Sequence, residues 1–212
     1  MTLRKNGQRE QWKEDLLTFY EERYRFLLDN GISFVSICNK DIYEKKISNK
    51  VCNPILLVAE VPGKDEVDSG EPLTGESGEN IAELIKISKL ANSMFVKTNL
   101  FPFRTFTINA NENRPPDSKE IEKGMLLLEH EISLVKPRLI ISLGEIACYG
   151  IKKLSKTKAK FKSPISDISI GSHRCQFLST YHPSNINFNQ ATRKNRLISD
   201  FKSLKTTVED NL

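Results

Sequence analysis

Four short apolar runs in this chain end abruptly at polar residues able to do chemistry. Ile55-Leu56-Leu57-Val58-Ala59 runs into Glu60-Val61-Pro62-Gly63, and Met94-Phe95-Val96-Lys97 into Thr98-Asn99. Leu139-Ile140-Ile141-Ser142-Leu143 stops at Gly144-Glu145, and Phe177-Leu178-Ser179-Thr180-Tyr181 at His182-Pro183-Ser184. Continuous apolar runs of this length suit strands covered on both faces, as in a parallel sheet between helix layers. Ligands of such sheets bind beyond the carboxyl ends of the strands. A carboxylate (Glu60), an amide (Asn99) and an imidazole (His182) are therefore expected around one cleft.

The segments between the runs read as helices. Ile81, Leu84 and Ile85 mark an inward face over 79–91. Asp117, with Glu120 three residues on, forms a capping box for a helix that ends before Pro137. A helix is expected over 145–154 and another over 190–204, with a short extra strand at 168–170. Trp12, Leu16, Phe19, Tyr20, Tyr24 and Leu27 predict a further helix over 9–30, ahead of an extended segment at 33–37 and a lysine-rich connection over 39–53. The alternation implies a three-layer α/β/α sandwich with a central, mainly parallel four-stranded sheet. A length of 212 residues suits one domain, with an N-terminal helical extension over about residues 1–50.

Composition changes this picture little. A hydrophobic fraction of 38% beside 28% charged residues is ordinary for a soluble protein. The chain has no long uncharged apolar stretch and no signal-like N-terminus, so a cytoplasmic, membrane-free protein is expected. The net charge of +5 hints at a polyanionic partner only weakly, but its distribution says more. Six lysines and no acid lie between Lys152 and Lys162, and Arg193, Lys194, Arg196, Lys202 and Lys205 cluster later. Both runs fit either a solvated face or contact with phosphates. The four cysteines, Cys38, Cys52, Cys148 and Cys175, form no C-x-x-C pair, so no metal is expected.

The loop from Gly63 to Gly78 carries glycines ahead of a helix, but Glu79-Asn80 follow where a nucleotide-hydrolysing loop needs Lys-Ser/Thr. Ala59-Glu60-Val61-Pro62-Gly63 and Gly70-Glu71-Pro72-Leu73-Thr74-Gly75-Glu76-Ser77-Gly78 resemble the first motif of the uracil-DNA glycosylase superfamily. The family 4 form is the most similar. Thr98-Asn99, then Asn113-Arg114-Pro115 with Glu120-Ile121, resemble the segments that follow. Lys136-Pro137, Leu143-Gly144-Glu145-Ile146-Ala147 and His182-Pro183-Ser184 resemble the later ones.

The resemblance implies a monofunctional DNA glycosylase that flips a pyrimidine-type base out of DNA and hydrolyses its N-glycosidic bond. Glu60 and His182 would be catalytic, and Asn99, Val61, Leu73 and Gly75 would bind the base. Gly63, Ser77, Ser184, Ile186, Arg193 and Lys194 would contact DNA. Ile186 and Phe188 each fit either an apolar wedge or core packing. Uracil is the first expectation, and a monomer needing no cofactor is expected.

Two departures from the family pattern stand out. Family 4 enzymes hold an iron–sulfur cluster on four cysteines, whereas this chain has Phe103 and Gly124 near the places of the later two. Leu73 stands where the family places a phenylalanine that stacks on the base, which leaves room for an enlarged or modified pyrimidine. The inserted stretch from Phe106 to Asn113 points the same way. A fold retained only for binding DNA or a protein is the rival of another class.

Overall fold

The computed structural model describes residues 36–37, 53–69, 71–107 and 112–209. The helix expected over 9–30 lies outside the described residues, as does nearly all of the connection over 39–53. Strands β1 (Ser36–Ile37), β2 (Ile55–Ala59), β3 (Phe95–Asn99), β4 (Phe103–Arg104), β5 (Leu139–Leu143), β6 (Ser166–Ile170) and β7 (His173–Thr180) follow in chain order. Helices are α1 (Lys64–Ser69), α2 (Gly75–Ser88), α3 (Ser118–Val135), α4 (Glu145–Ser155), α5 (Asn185–Phe188) and α6 (Ala191–Glu209).

The central sheet has five strands in the order β3-β2-β5-β7-β6, not four. Its first four strands are parallel, and β6 closes one edge antiparallel to β7. The two-strand ribbon of β1 and β4 stands apart from it. The strand expected at 168–170 extends over Ser166–Ile170, where only Ile168 and Ile170 are buried. That alternation marks a half-covered edge strand, which an apolar-run criterion does not detect.

Every residue of β2 and β5 is buried, and their side chains divide between the faces with period two. Ile55, Leu57 and Ala59 join Ile81, Leu84, Leu197 and Phe201 beneath α2 and α6. Leu56 and Val58 join Leu128, Ile132, Ala147 and Ile151 beneath α3 and α4. Each fully buried aliphatic side chain contributes about 1.5–3 kcal/mol, so the middle strands hold both layers together. No helix among the described residues is long and apolar enough to cross a membrane.

Topology also sets where a ligand can enter. The chain passes from β2 to its neighbour β3, then returns across β2 to β5 on the other side. The segments leaving β2 and β5 thus go to opposite faces and open a crevice at the carboxyl edge.

Candidate active site

β2 ends at Ala59, and the chain turns at once through Glu60 and Val61 to α1. The sequence hides α1 because it buries no residue and so shows no periodicity. It begins where the Glu66 carboxylate accepts the N–H of Gly63 at 2.8 Å, three residues back. The next helix, α2, starts at Gly75, four residues before the expected Glu79. Gly75 has φ +60°, and a Cβ there would stand 2.8 Å from the Asp65 carboxylate. A Cβ at Gly78 would run into the Leu73 carbonyl, so glycine lets the loop and helix close on each other.

A cleft of about 370 Å³ opens at this corner. Its walls include Val61, Gly63, Leu73, Ser77 and His182, all named from sequence, and Ala59 at the strand end. Glu60 lies between two of the lining residues, Ala59 and Val61. Asn99 is the last residue of β3, paired across the ladder with Ala59, and is 6% exposed. Backbone N–H groups of Leu100 and Phe101 donate to the carbonyls of Ala59 and Glu60 at 2.8 and 3.1 Å. These bonds tie the two strand ends together.

His182 follows β7, and two side-chain amides hold its loop. Asn187 Nδ2 donates to the His182 carbonyl at 2.8 Å. Asn80 Nδ2 donates to the Pro183 carbonyl at 2.9 Å and to Asn185 Oδ1 at 3.1 Å. Gly144, just after β5, has φ +97°, a backbone that L side chains rarely adopt. Its N–H donates to the Thr180 carbonyl at 2.9 Å, tying the end of β5 to that of β7.

The two titratable groups are both perturbed by burial. Desolvation raises the Glu60 carboxyl above its ordinary value. Burial lowers His182 to about 4, so its imidazole is neutral at physiological pH. A neutral imidazole can still donate one N–H, the form needed to meet an oxygen gaining negative charge.

Leu73 is 2% exposed and has φ 54°, a left-handed backbone unusual for leucine. Its carbonyl accepts from Lys97 Nζ at 3.3 Å, and burial lowers the pKa of that lysine against the opposing charge of Glu71. A lysine within an apolar strand was the visible signal for this tie. Asn113 also lines the cleft and accepts from Arg104 Nε at 2.8 Å. It arrives on a ribbon closed by the Phe106–Asn113 bridge and fastened by Arg114, which meets Glu120 at 2.7 and 2.8 Å. The sequence marks Asn113 only as part of the Asn113-Arg114-Pro115 segment and of the inserted stretch, with no role of its own. Lys64, Asp65, Glu66, Thr74 and Glu76 complete the walls.

Ser184, Ile186, Arg193, Lys194 and Gly75, also named from sequence, are not part of the cleft walls. Ser184 precedes α5, and its carbonyl accepts from Phe188 N at 2.8 Å. Ile186 is 76% exposed whereas Phe188 is 7% exposed and joins the core, which separates the two candidates for a wedge. Arg193 donates to Asn187 Oδ1 at 2.6 Å and lies over the Tyr181 ring at 5.3 Å. Lys194 lies 4.2 Å over the Phe188 ring and 4.0 Å from Glu83.

The positions expected near two cluster cysteines do not fit an iron–sulfur group. Phe103 is buried edge-on against Phe101 at 5.2 Å, and Gly124 packs against the Leu100 carbonyl. Neither supplies a sulfur. Cys148 and Cys175 are buried thiols whose pKa values burial raises, the latter to about 12. Cys38 and Cys52 lie outside the described residues. Among the described residues no group of three or more His, Cys, Asp or Glu could hold a metal ion.

Residues 49–204 match the family described as Uracil DNA glycosylase superfamily. The chain belongs to the uracil DNA glycosylase superfamily. Three similar relatives carry the name Type-4 uracil-DNA glycosylase. One from Archaeoglobus fulgidus is 26% identical over 188 residues, covering 84% of this chain and 91% of the relative. One from Saccharolobus solfataricus is 29% identical over 159 residues, covering 73% and 71%. One from Pyrobaculum aerophilum is 28% identical over 135 residues, covering 61% and 66%. Superfamily membership places the chain among DNA N-glycosylases, hydrolases of the bond between base and sugar.

Proposed function

We propose that this glycosylase extrudes a pyrimidine-type base from DNA into the cleft and hydrolyses its N-glycosidic bond, with uracil the first substrate. One observation carries the reading. His182 lines the same cleft as the residues flanking Glu60, and Asn99 stands across the ladder from that strand end. A base stacked in a duplex is out of reach of such a cleft, so extrusion comes first.

The C1′–N bond breaks with its electron pair leaving on the base, and positive charge grows on the sugar. The Glu60 carboxylate stabilises that sugar and takes the proton of an oriented water as the water oxygen adds to C1′. The released base anion is then protonated from solvent. The neutral His182 donates to the base oxygen where negative charge collects. Asn99 offers both a donor and an acceptor to the Watson–Crick edge. The apolar Ile186 side chain fills the gap left in the stack. Val61, Leu73 and Gly75 shape the base pocket, while Gly63, Ser77, Ser184, Arg193 and Lys194 meet the DNA backbone. The chain acts as a monomer.

A second reading, release of an enlarged or modified pyrimidine, is favoured by Leu73. An aliphatic side chain gives no stacking face to a plain base, and the Asn113 ribbon adds a further wall. Release of uracil, 5-substituted pyrimidines and glycosylated pyrimidines from otherwise identical duplexes separates the readings. Uracil release supports the first. No uracil release at high enzyme concentration, with release of a modified base, replaces it with the second. No release of any base leaves a binding protein.

A further inference from the structure

The lysine run between Lys152 and Lys162 takes no part in the cleft. α4 ends at Ser155, and the chain crosses as an irregular strap to β6 at Ser166. The strap is held in shape by its own bonds. Ala159 N donates to Thr157 Oγ1 at 3.3 Å and Lys160 N to Ser163 Oγ at 2.9 Å. It is also fastened at a definite place: Lys162 N donates to Ser179 Oγ at 2.8 Å, and the Arg196 guanidinium donates to the Lys162 carbonyl at 2.9 Å.

That place is the carboxyl end of β7. Lys162 Nζ donates to the Tyr181 hydroxyl at 2.8 Å and lies 4.5 Å over its ring. Phe161 meets the same ring edge-on at 5.8 Å. Tyr181 immediately precedes His182, so the strap is anchored on the rim that carries the cleft. Lys153, Lys156, Lys158 and Lys160 are exposed, and none of them forms an ion pair among the described residues. An ordered segment that gathers like charges and neutralises none is costly to the folded chain and favourable to a polyanion.

We propose that this strap is a phosphate track, with Lys156, Lys158 and Lys160 taking the DNA backbone that flanks the extruded nucleotide. The track rests on the glycosylase reading of the cleft and adds to it a surface for the rest of the substrate. Phosphate contacts release counterions, so each one steepens the fall of affinity with salt by about 0.9 in a log–log plot for duplex DNA.

The test is equilibrium binding to a duplex carrying a non-hydrolysable abasic analogue, measured across salt concentrations. A set of K156Q, K158Q and K160Q is expected to flatten the slope by about 2–3, and the matching arginine set to keep it. A far-edge set of K86Q, K89Q and K136Q removes the same charge and is expected to leave the slope unchanged. The parent slope in the strap set, or an equal flattening in the far-edge set, overturns the track. Should the triple set fail to fold, single variants expected to lower the slope by about 0.9 each decide the matter. Base release by the parent protein is read separately. No release with the flattened slope intact sinks the glycosylase reading alone, and release with an unchanged slope sinks the track alone.

Discussion

Glu60 and His182 are pushed by burial in directions that suit opposite tasks. The carboxyl is raised, so it holds its proton to higher pH than an ordinary glutamate. An acid limb in kcat/KM is expected with its midpoint above 4.5, and no limb from His182 near 6.5, because burial lowers that imidazole to about 4. A limb near 6.5 that vanishes in His182→Gln would contradict this. Stability carries the same signature with a worked sign. A carboxyl raised in the folded state costs stability above its folded pKa and nothing below its unfolded one. Glu60→Gln is therefore expected to raise Tm at pH 7 and to leave it unchanged at pH 4, while base release falls about 10²–10⁴-fold. For His182 the depressed value means that stability is whole above about 6.5 and drains away as pH falls toward 4. Its removal is expected to slow release by about a hundred- to thousand-fold, the cost of one donor to a developing oxyanion. The site was half legible at this scale: polar residues at strand ends pointed to Glu60, Asn99 and His182. Asn80 and Asn187 were not legible, because their value depends on carbonyls that only the folded chain brings near. Asn113 stood in a motif-like segment, but its place in the cleft wall comes from the ribbon.

Elements that bury a continuous apolar face are readable, and those that do not are read only in part or missed. β2 and β5 lie between two helix layers and show near-continuous apolar runs, whereas β7 is continuously buried only over its last four residues, Phe177 to Thr180. The capping box at Asp117 and Glu120 is present as expected, with Glu120 N donating to Asp117 at 2.9 Å. α1 buries nothing and shows no pattern, while β6 buries only alternate residues, so only its end at 168–170 is expected from sequence. The start of α2 was concealed by glycines that serve close approach to the loop before it. Within α5, two apolar residues two positions apart part company, and a pair of substitutions reads the difference. Phe188→Ala is expected to cost about 3–5 kcal/mol in chemical denaturation. Ile186→Ala is expected to change stability by less than about 0.5 kcal/mol. It should slow base release from duplex far more than from single-stranded DNA, where no stack must be filled. Equal slowing on both substrates would remove Ile186 from the wedge role.

Across the whole molecule, the switch in strand order places the cleft at the β2–β5 carboxyl edge, and the His182 loop and the lysine strap meet on the same rim. A tightly buried core carries this rim, so the loops can be shaped for DNA without weakening the sheet that positions them. The account's central claim is that Glu60 and His182 act on one extruded base. Single-turnover release of uracil from duplex DNA by the parent, Glu60→Gln, His182→Ala and the double variant tests it most directly. Two residues serving one transition state are expected to be non-additive, with the double variant falling well short of the product of the single losses. Release unaffected by either substitution, or losses that simply multiply, would contradict a shared site.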